Sequence, residues 1–180
     1  ASTFARYPYP EAVFSWSASQ PEGPVFYSRS DRAPAWLPHD TTSLFPVAVT
    51  HEAGVGARLL DRLAADVKTG RRYSTFDVTF GQSRCQVVAL LSYDDPYRQH
   101  LKAAFGFVVD LGWVRDHYFA DLAKQVTQIG ASGSGLRLTV TDGRGHPVVG
   151  TADGGPDVAA GHRRFPLLFF DPRLVAADWP

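Results

Sequence analysis

Residues 74–111 constrain the fold more than any other stretch. Ser74–Phe80 alternates strictly, with Phe76, Val78 and Phe80 on one side and Thr75, Asp77 and Thr79 on the other. A period of two places those sets on opposite faces of a strand. Gly81-Gln82 turns the chain, and Cys85–Tyr93 continues as a second, more apolar strand closed by Asp94-Asp95-Pro96. Leu101–Leu111 follows as a third, with Gly106 inside it. Three strands joined by short turns read as an antiparallel meander.

The flanking segments are of other kinds. Upstream, Val55, Leu59, Leu63 and Val67 recur every four residues, so His51–Lys68 reads as an amphipathic helix with Thr50 as N-cap and Gly70 as its stop. Downstream of Gly112 the period changes. Val114, Tyr118, Leu122, Val126 and Ile129 form one stripe of a helix over Trp113–Ile129. At the start, Ala12–Trp16 and Val25–Ser28 read as strands about a Pro/Gly turn, and Arg32–Pro46 as a proline-rich loop. At the end, Leu136–Thr141 and Pro147–Thr151 flank the hairpin signal Asp142-Gly143-Arg144-Gly145. Thr151–Gly161 reads as a polar loop and Arg164–Phe170 as a last strand. The order β-β-α-β-β-β, then α-β-β-β, is that of an α+β fold. Residues 1–112 are expected to form one unit, and 113–180 a helix with three strands that packs as a second unit or joins the first.

Composition narrows the function. The 180 residues carry 18 basic and 18 acidic side chains. That balance argues against non-specific nucleic-acid binding and against a polybasic membrane surface. The chain begins at Ala1 and has no methionine, so it reads as a piece of a processed or longer protein. It has no apolar run long enough for a membrane span. Its single cysteine, Cys85, sits in an apolar run and reads as a small buried hydrophobe.

Known catalytic signatures are absent. There is no nucleophile elbow, no Walker loop and no His-Glu-x-x-His. The glycine-rich run Gly130–Gly135 precedes a strand, the reverse of a dinucleotide fingerprint. The six histidines, His39, His51, His100, His117, His146 and His162, show no metal-ligand spacing on one element. His39-Asp40 reads as a solvated loop pair and Asp94-Asp95 as turn residues. No catalytic residue, metal or cofactor is therefore assigned. The ligand-binding candidates are Tyr27, Arg29, Arg32 and Trp36, with Tyr93 and Asp94 next. Two guanidinium groups can hold a carboxylate through paired hydrogen bonds, and the aromatic rings can cover an apolar or cationic part.

The passage Phe105-Gly106-Phe107-Val108-Val109-Asp110-Leu111-Gly112-Trp113-Val114 resembles the extracytoplasmic sensor regions of bacterial sensor histidine kinases of the Cache, or PAS-like, type. The strand Gln86–Leu91, the hairpin around Asp142-Gly143 and the segment Arg164–Phe170 are similar to that group as well. The resemblance covers about residues 74–171 and implies a five-stranded antiparallel sheet with flanking helices. It also implies a second, smaller or incomplete PAS-like unit, a ligand between sheet and loops, and a membrane-anchored parent with its sensor on the periplasmic side. Phosphotransfer would lie elsewhere in that parent: His51-Glu52 lacks the basic residue and proline expected after a phospho-acceptor. Amino-acid recognition does not carry over, because Arg32 is followed by Ala33-Pro34-Ala35-Trp36 in place of Arg-x-Trp-Tyr. A homodimer through the Trp113–Ile129 helix is the partner this reading allows. The competing readings are a ligand-free interaction domain and a small hydrolase built on Asp94, Asp95 or Asp171.

Overall fold

The computed structural model describes residues 9–20, 22–38, 43–44, 47–130, 138–142, 145–150 and 161. His39-Asp40, residues 131–137, Gly143-Arg144, His162, the strand expected over residues 164–170 and Asp171 lie outside the described residues. Two compact units divide the chain between Asp110 and Leu111.

In the first unit the strands are β1 (Pro10–Ser17), β2 (Val25–Arg29), β3 (Ser43–Leu44), β4 (Val47–His51), β5 (Tyr73–Phe80), β6 (Ser83–Tyr93) and β7 (Leu101–Asp110), with helix α1 (Ala53–Lys68) between β4 and β5. They form one sheet in the order β3-β4-β2-β1-β7-β6-β5, and every pairing is antiparallel. The first strand and the last are neighbours at its centre. The β5-β6-β7 meander follows the alternation of the sequence, with Phe76 opposite Val87 and Val87 opposite Val108. The class is α+β.

One face of this sheet carries the core. Val55, Leu59 and Leu63 of α1 are buried with Ala12, Phe14, Phe26, Phe80, Cys85, Val87, Ala89, Leu91, Ala104 and Val108. The apolar stripe of the helix thus does what its spacing requires, and each large side chain so covered contributes about 1.5–3 kcal/mol. Trp36 and Leu37, from the segment after β2, belong to the same cluster. Gly70, at φ +66°, ends the helix turn as expected.

Three expectations do not hold. The sheet has seven strands where the resemblance implies five, because β4 and β3 add to the β2 edge. Thr50 does not cap α1: it is buried in β4 opposite Phe26, and the cap is Glu52, whose carboxylate accepts from the Val55 amide. The cause is β4 itself, which stays paired with β2 through His51 and delays the helix to Ala53. The segment read as a loop from Arg32 also carries the two-residue strand β3. β4 was illegible because its core-facing residues are Ala48 and Thr50, small and polar, so no apolar alternation marks it.

The second unit begins where β7 stops. Leu111–Trp113, Val114–Phe119 and Ala120–Gly130 run on as helix α2 (111–130), whose middle stretch is π-helical. β8 (Val140–Thr141) and β9 (Pro147–Val149) make a two-stranded hairpin with Gly145 at φ +85°. Among the described residues no helix is long and apolar enough to cross a membrane.

Candidate functional site

Five of the six sequence candidates fall at two ends of the sheet, and the sixth, Tyr27, lies in the middle of β2. Trp36, Arg32 and Arg29 stand near the β1 start and the β7 end, whereas Tyr93 and Asp94 lie at the β6-β7 turn. Cys85 and Tyr93, near the two ends of β6, are roughly 26 Å apart at ~3.3 Å per residue. The candidates do not converge on one site.

The first end is built around a break in register. Pro10 pairs with Val109 and Ala12 with Val108, so Glu11 is an extra residue in β1. Such a bulge re-aims its side chain. Glu11 points at Trp36, whose indole Nε1–H donates to Glu11 Oε2 at 2.9 Å. Burial pushes the Glu11 carboxyl above its ordinary range. The Trp36 hydrogen bond opposes that shift, Asp110 adds to it and Arg32 opposes it.

Arg32 donates from Nη2 to the Pro10 carbonyl at 3.2 Å. Burial and the neighbouring Arg29 loosen its proton, against the pull of Glu11, Asp31 and Asp110. Arg29 ends β2 and forms a bridge with Arg32. Asp110 lies opposite Cys85 in the β6-β7 ladder. Burial, with the carboxylates of Glu11 and Asp110, pushes the Cys85 thiol up, so it stays protonated and is no nucleophile.

Trp36 is not an exposed wall. It is 9% exposed, and its ring sits 5.7 Å from the Phe26 ring and 4.8 Å from that of Phe80. The aromatic candidate is a core residue because Phe26 and Phe80 face it from two strands. Tyr27 points to the other face, with its hydroxyl 3.5 Å from Ser15 Oγ. Sequence reasoning missed Glu11 and Asp110. The one-dimensional signal was a carboxylate at the edge of an apolar strand pattern, which many surface strands share.

At the other end Tyr93 donates its hydroxyl to the Arg71 carbonyl at 2.6 Å, tying the end of β6 to the residues that lead into β5. Asp94 is exposed. Asp95 accepts from the Gln99 and His100 amides at 2.8–3.0 Å. Its carboxyl is held below the ordinary range first by the Gln99 amide and then, against some desolvation, by the His100 amide, the His100 ring and the Tyr97 amide. The ligand atoms of Asp94, Asp95 and His100 lie within 4.8 Å of one another and could in principle hold a cation. Both Asp95 oxygens, however, are already engaged by backbone. The physical role is a turn brace. Asp95→Ala is expected to speed amide exchange at Gln99 and His100, measured by hydrogen exchange. In the native protein that protection is present at neutral pH and fades as acid protonates Asp95 below the ordinary Asp range.

No protein-family model, curated protein or solved structure matches this chain.

Proposed function

We propose that the chain is the extracytoplasmic, PAS-like (Cache) sensing domain of a transmembrane sensor histidine kinase, and that the kinase machinery and membrane anchor belong to the rest of the parent protein. The observation that carries this reading is the β2-β1-β7-β6-β5 antiparallel sheet with α1 packed on one face. Five of the seven strands and one flanking helix correspond to what the resemblance implies, and β4 and β3 extend the sheet beyond it at the β2 edge.

The chain passes from the sheet centre directly into α2 at Asp110 and Leu111. β7 is paired on both sides, with β1 and β6, and its last residue is followed directly by the first of α2. In this proposal a ligand alters the position of β7 at the sheet centre. A ligand can drive such a change only by binding one arrangement better than the other.

The binding end in this proposal is the charged one. Arg29 and Arg32 offer guanidinium groups to a small carboxylate or phosphate, and Glu11 and Asp110 offer acceptors to an amine. The balanced charge of the chain favours a small molecule over nucleic acid. The test is a thermal-shift screen against carboxylates, phosphates, amines and divalent cations. A ligand at about 100 times its Kd stabilises by roughly 2.7 kcal/mol, a shift of several degrees. A saturable hit weakened by Arg32→Ala supports the sensor. A blank panel removes the ligand-binding reading.

A second reading, a protein-interaction domain, is favoured by the sheet face opposite α1. There Leu90 and Phe105 are cross-strand neighbours and remain 39% and 48% exposed. Sedimentation of the Phe105→Lys variant against the unaltered protein separates the two, since only the second reading expects association to depend on that ring.

A further inference from the structure

We propose that Glu11 is the proton-sensitive element of a latch: a proton on Glu11 holds residues 30–38 shut over one end of the sheet, and its ionisation loosens them. The latch needs only the geometry of that end and holds whether or not the domain belongs to a kinase.

The segment is seated on the sheet by its side chains. Pro34, Trp36 and Leu37 are buried, and internal turns run from the Arg32 amide to the Arg29 carbonyl and from the Leu37 amide to the Pro34 carbonyl. Two of its hydrogen bonds reach consecutive residues of β1: Arg32 to the Pro10 carbonyl and Trp36 to the Glu11 carboxyl. The bulge brings both acceptors to that position. Glu11 thus stands where the segment meets the sheet, beside a Trp36 ring packed on Phe26 and Phe80.

The charged and titratable groups around it come from every packed element. The segment contributes Arg32, with Asp31 and the β2 residue Arg29 beside that guanidinium; β7 contributes Asp110 and β6 contributes Cys85. From α1, Arg58 lies 5.7 Å over the Phe80 ring, next to Trp36. Of the charges acting on Glu11, Asp110 opposes its ionisation and Arg32 favours it, while burial is the largest influence. Desolvation then decides, and it disfavours the charged form. A neutral carboxyl keeps a carbonyl oxygen that still accepts from the Trp36 N–H. Protonation therefore removes the burial cost without removing the hydrogen bond.

The direction follows by linkage. With the segment shut, Glu11 titrates above its ordinary value; with the segment open, its carboxyl is in water and titrates normally. The shut state binds the proton more tightly. It is favoured at acid pH, and that advantage is lost as pH rises through the raised value. A latch held by the Glu11–Arg32 attraction would behave in the opposite way, loosening on acidification. For a sensor, the stimulus read at this end would be the proton.

The test is amide hydrogen exchange of the whole chain at about pH 5 and about pH 7.5, corrected for intrinsic exchange rates and read on peptides covering residues 29–38. The expected result is a loss of protection at the higher pH. Glu11→Gln should show equal protection at both values, near the acid level of the native protein. Equal protection in the native protein, or loss of protection on the acid side, overturns the latch. So does a Glu11→Gln variant that retains the native pH dependence, which would pass the role to Asp31 or Asp110. Should Glu11→Gln fail to fold, the sign of the native pH dependence decides alone, because the ion-pair alternative predicts the reverse.

Discussion

Trp36→Ala is expected to cost about 3–5 kcal/mol of stability, measured by urea unfolding. Two losses add. The indole fills the space between Phe26 and Phe80, at 5.7 and 4.8 Å between ring centres, and a methyl group leaves most of it empty. The indole N–H is also a donor to the half-buried Glu11 carboxyl, so truncation leaves that acceptor short of a partner. Trp36→Phe separates the two, since it restores most of the apolar volume and no donor. Its cost is expected at about 1–3 kcal/mol, the desolvation penalty of an orphaned polar group. A loss below about 1 kcal/mol for the alanine variant would mean that residues 30–38 contribute little to the core.

Gly106→Ala should also destabilise, and it acts by overfilling. Gly106 lies in β7, paired on one side with Phe14 and on the other with Ala89. A Cβ there would overlap the Val88 carbonyl oxygen and come within 2.6 Å of the Phe14 ring. Neither neighbour can easily give way. The carbonyl belongs to the backbone of an adjoining strand, and the ring is fully buried. Overpacking of this kind costs about 1–3 kcal/mol, with the upper end expected here because backbone must move. Circular dichroism melting should show a drop of several degrees, and Gly106→Val should fall further or fail to fold. An unchanged melting temperature for Gly106→Ala would mean that β7 does not pass so close to Phe14.

Both residues were visible in the sequence with a different meaning. Trp36 stood out beside Arg29 and Arg32 as a binding aromatic, because an aromatic among arginines in a proline-rich loop has the look of a recognition site. Its actual contacts come from Phe26 and Phe80, the second of which lies in a strand 44 residues further along the chain. No local pattern reports such a contact. The sequence shows Gly106 only as a glycine inside a strand. The reason for it, a ring arriving from β1, required the pairing of the first strand with the last.

Elements whose hydrophobic period is local could be read from the residues alone. The β5-β6-β7 meander, the buried stripe of α1, the helix after Gly112 and the burial of Cys85 all follow from which side chains must leave water at a spacing of two or near four. Whatever depends on partners distant along the chain emerged only on folding. β1 lies beside β7 at the centre of the sheet, and β4 extends that sheet although its core-facing alanine and threonine carry no apolar signal. The helix cap falls on Glu52, and Glu11, Arg32, Trp36 and Asp110 gather at one end, leaving Tyr93 and Asp94 at the other. Hydrophobic patterning is a property of neighbours in the chain. Strand order, a bulge that turns one glutamate inward, and the desolvation of that glutamate are properties of neighbours in space.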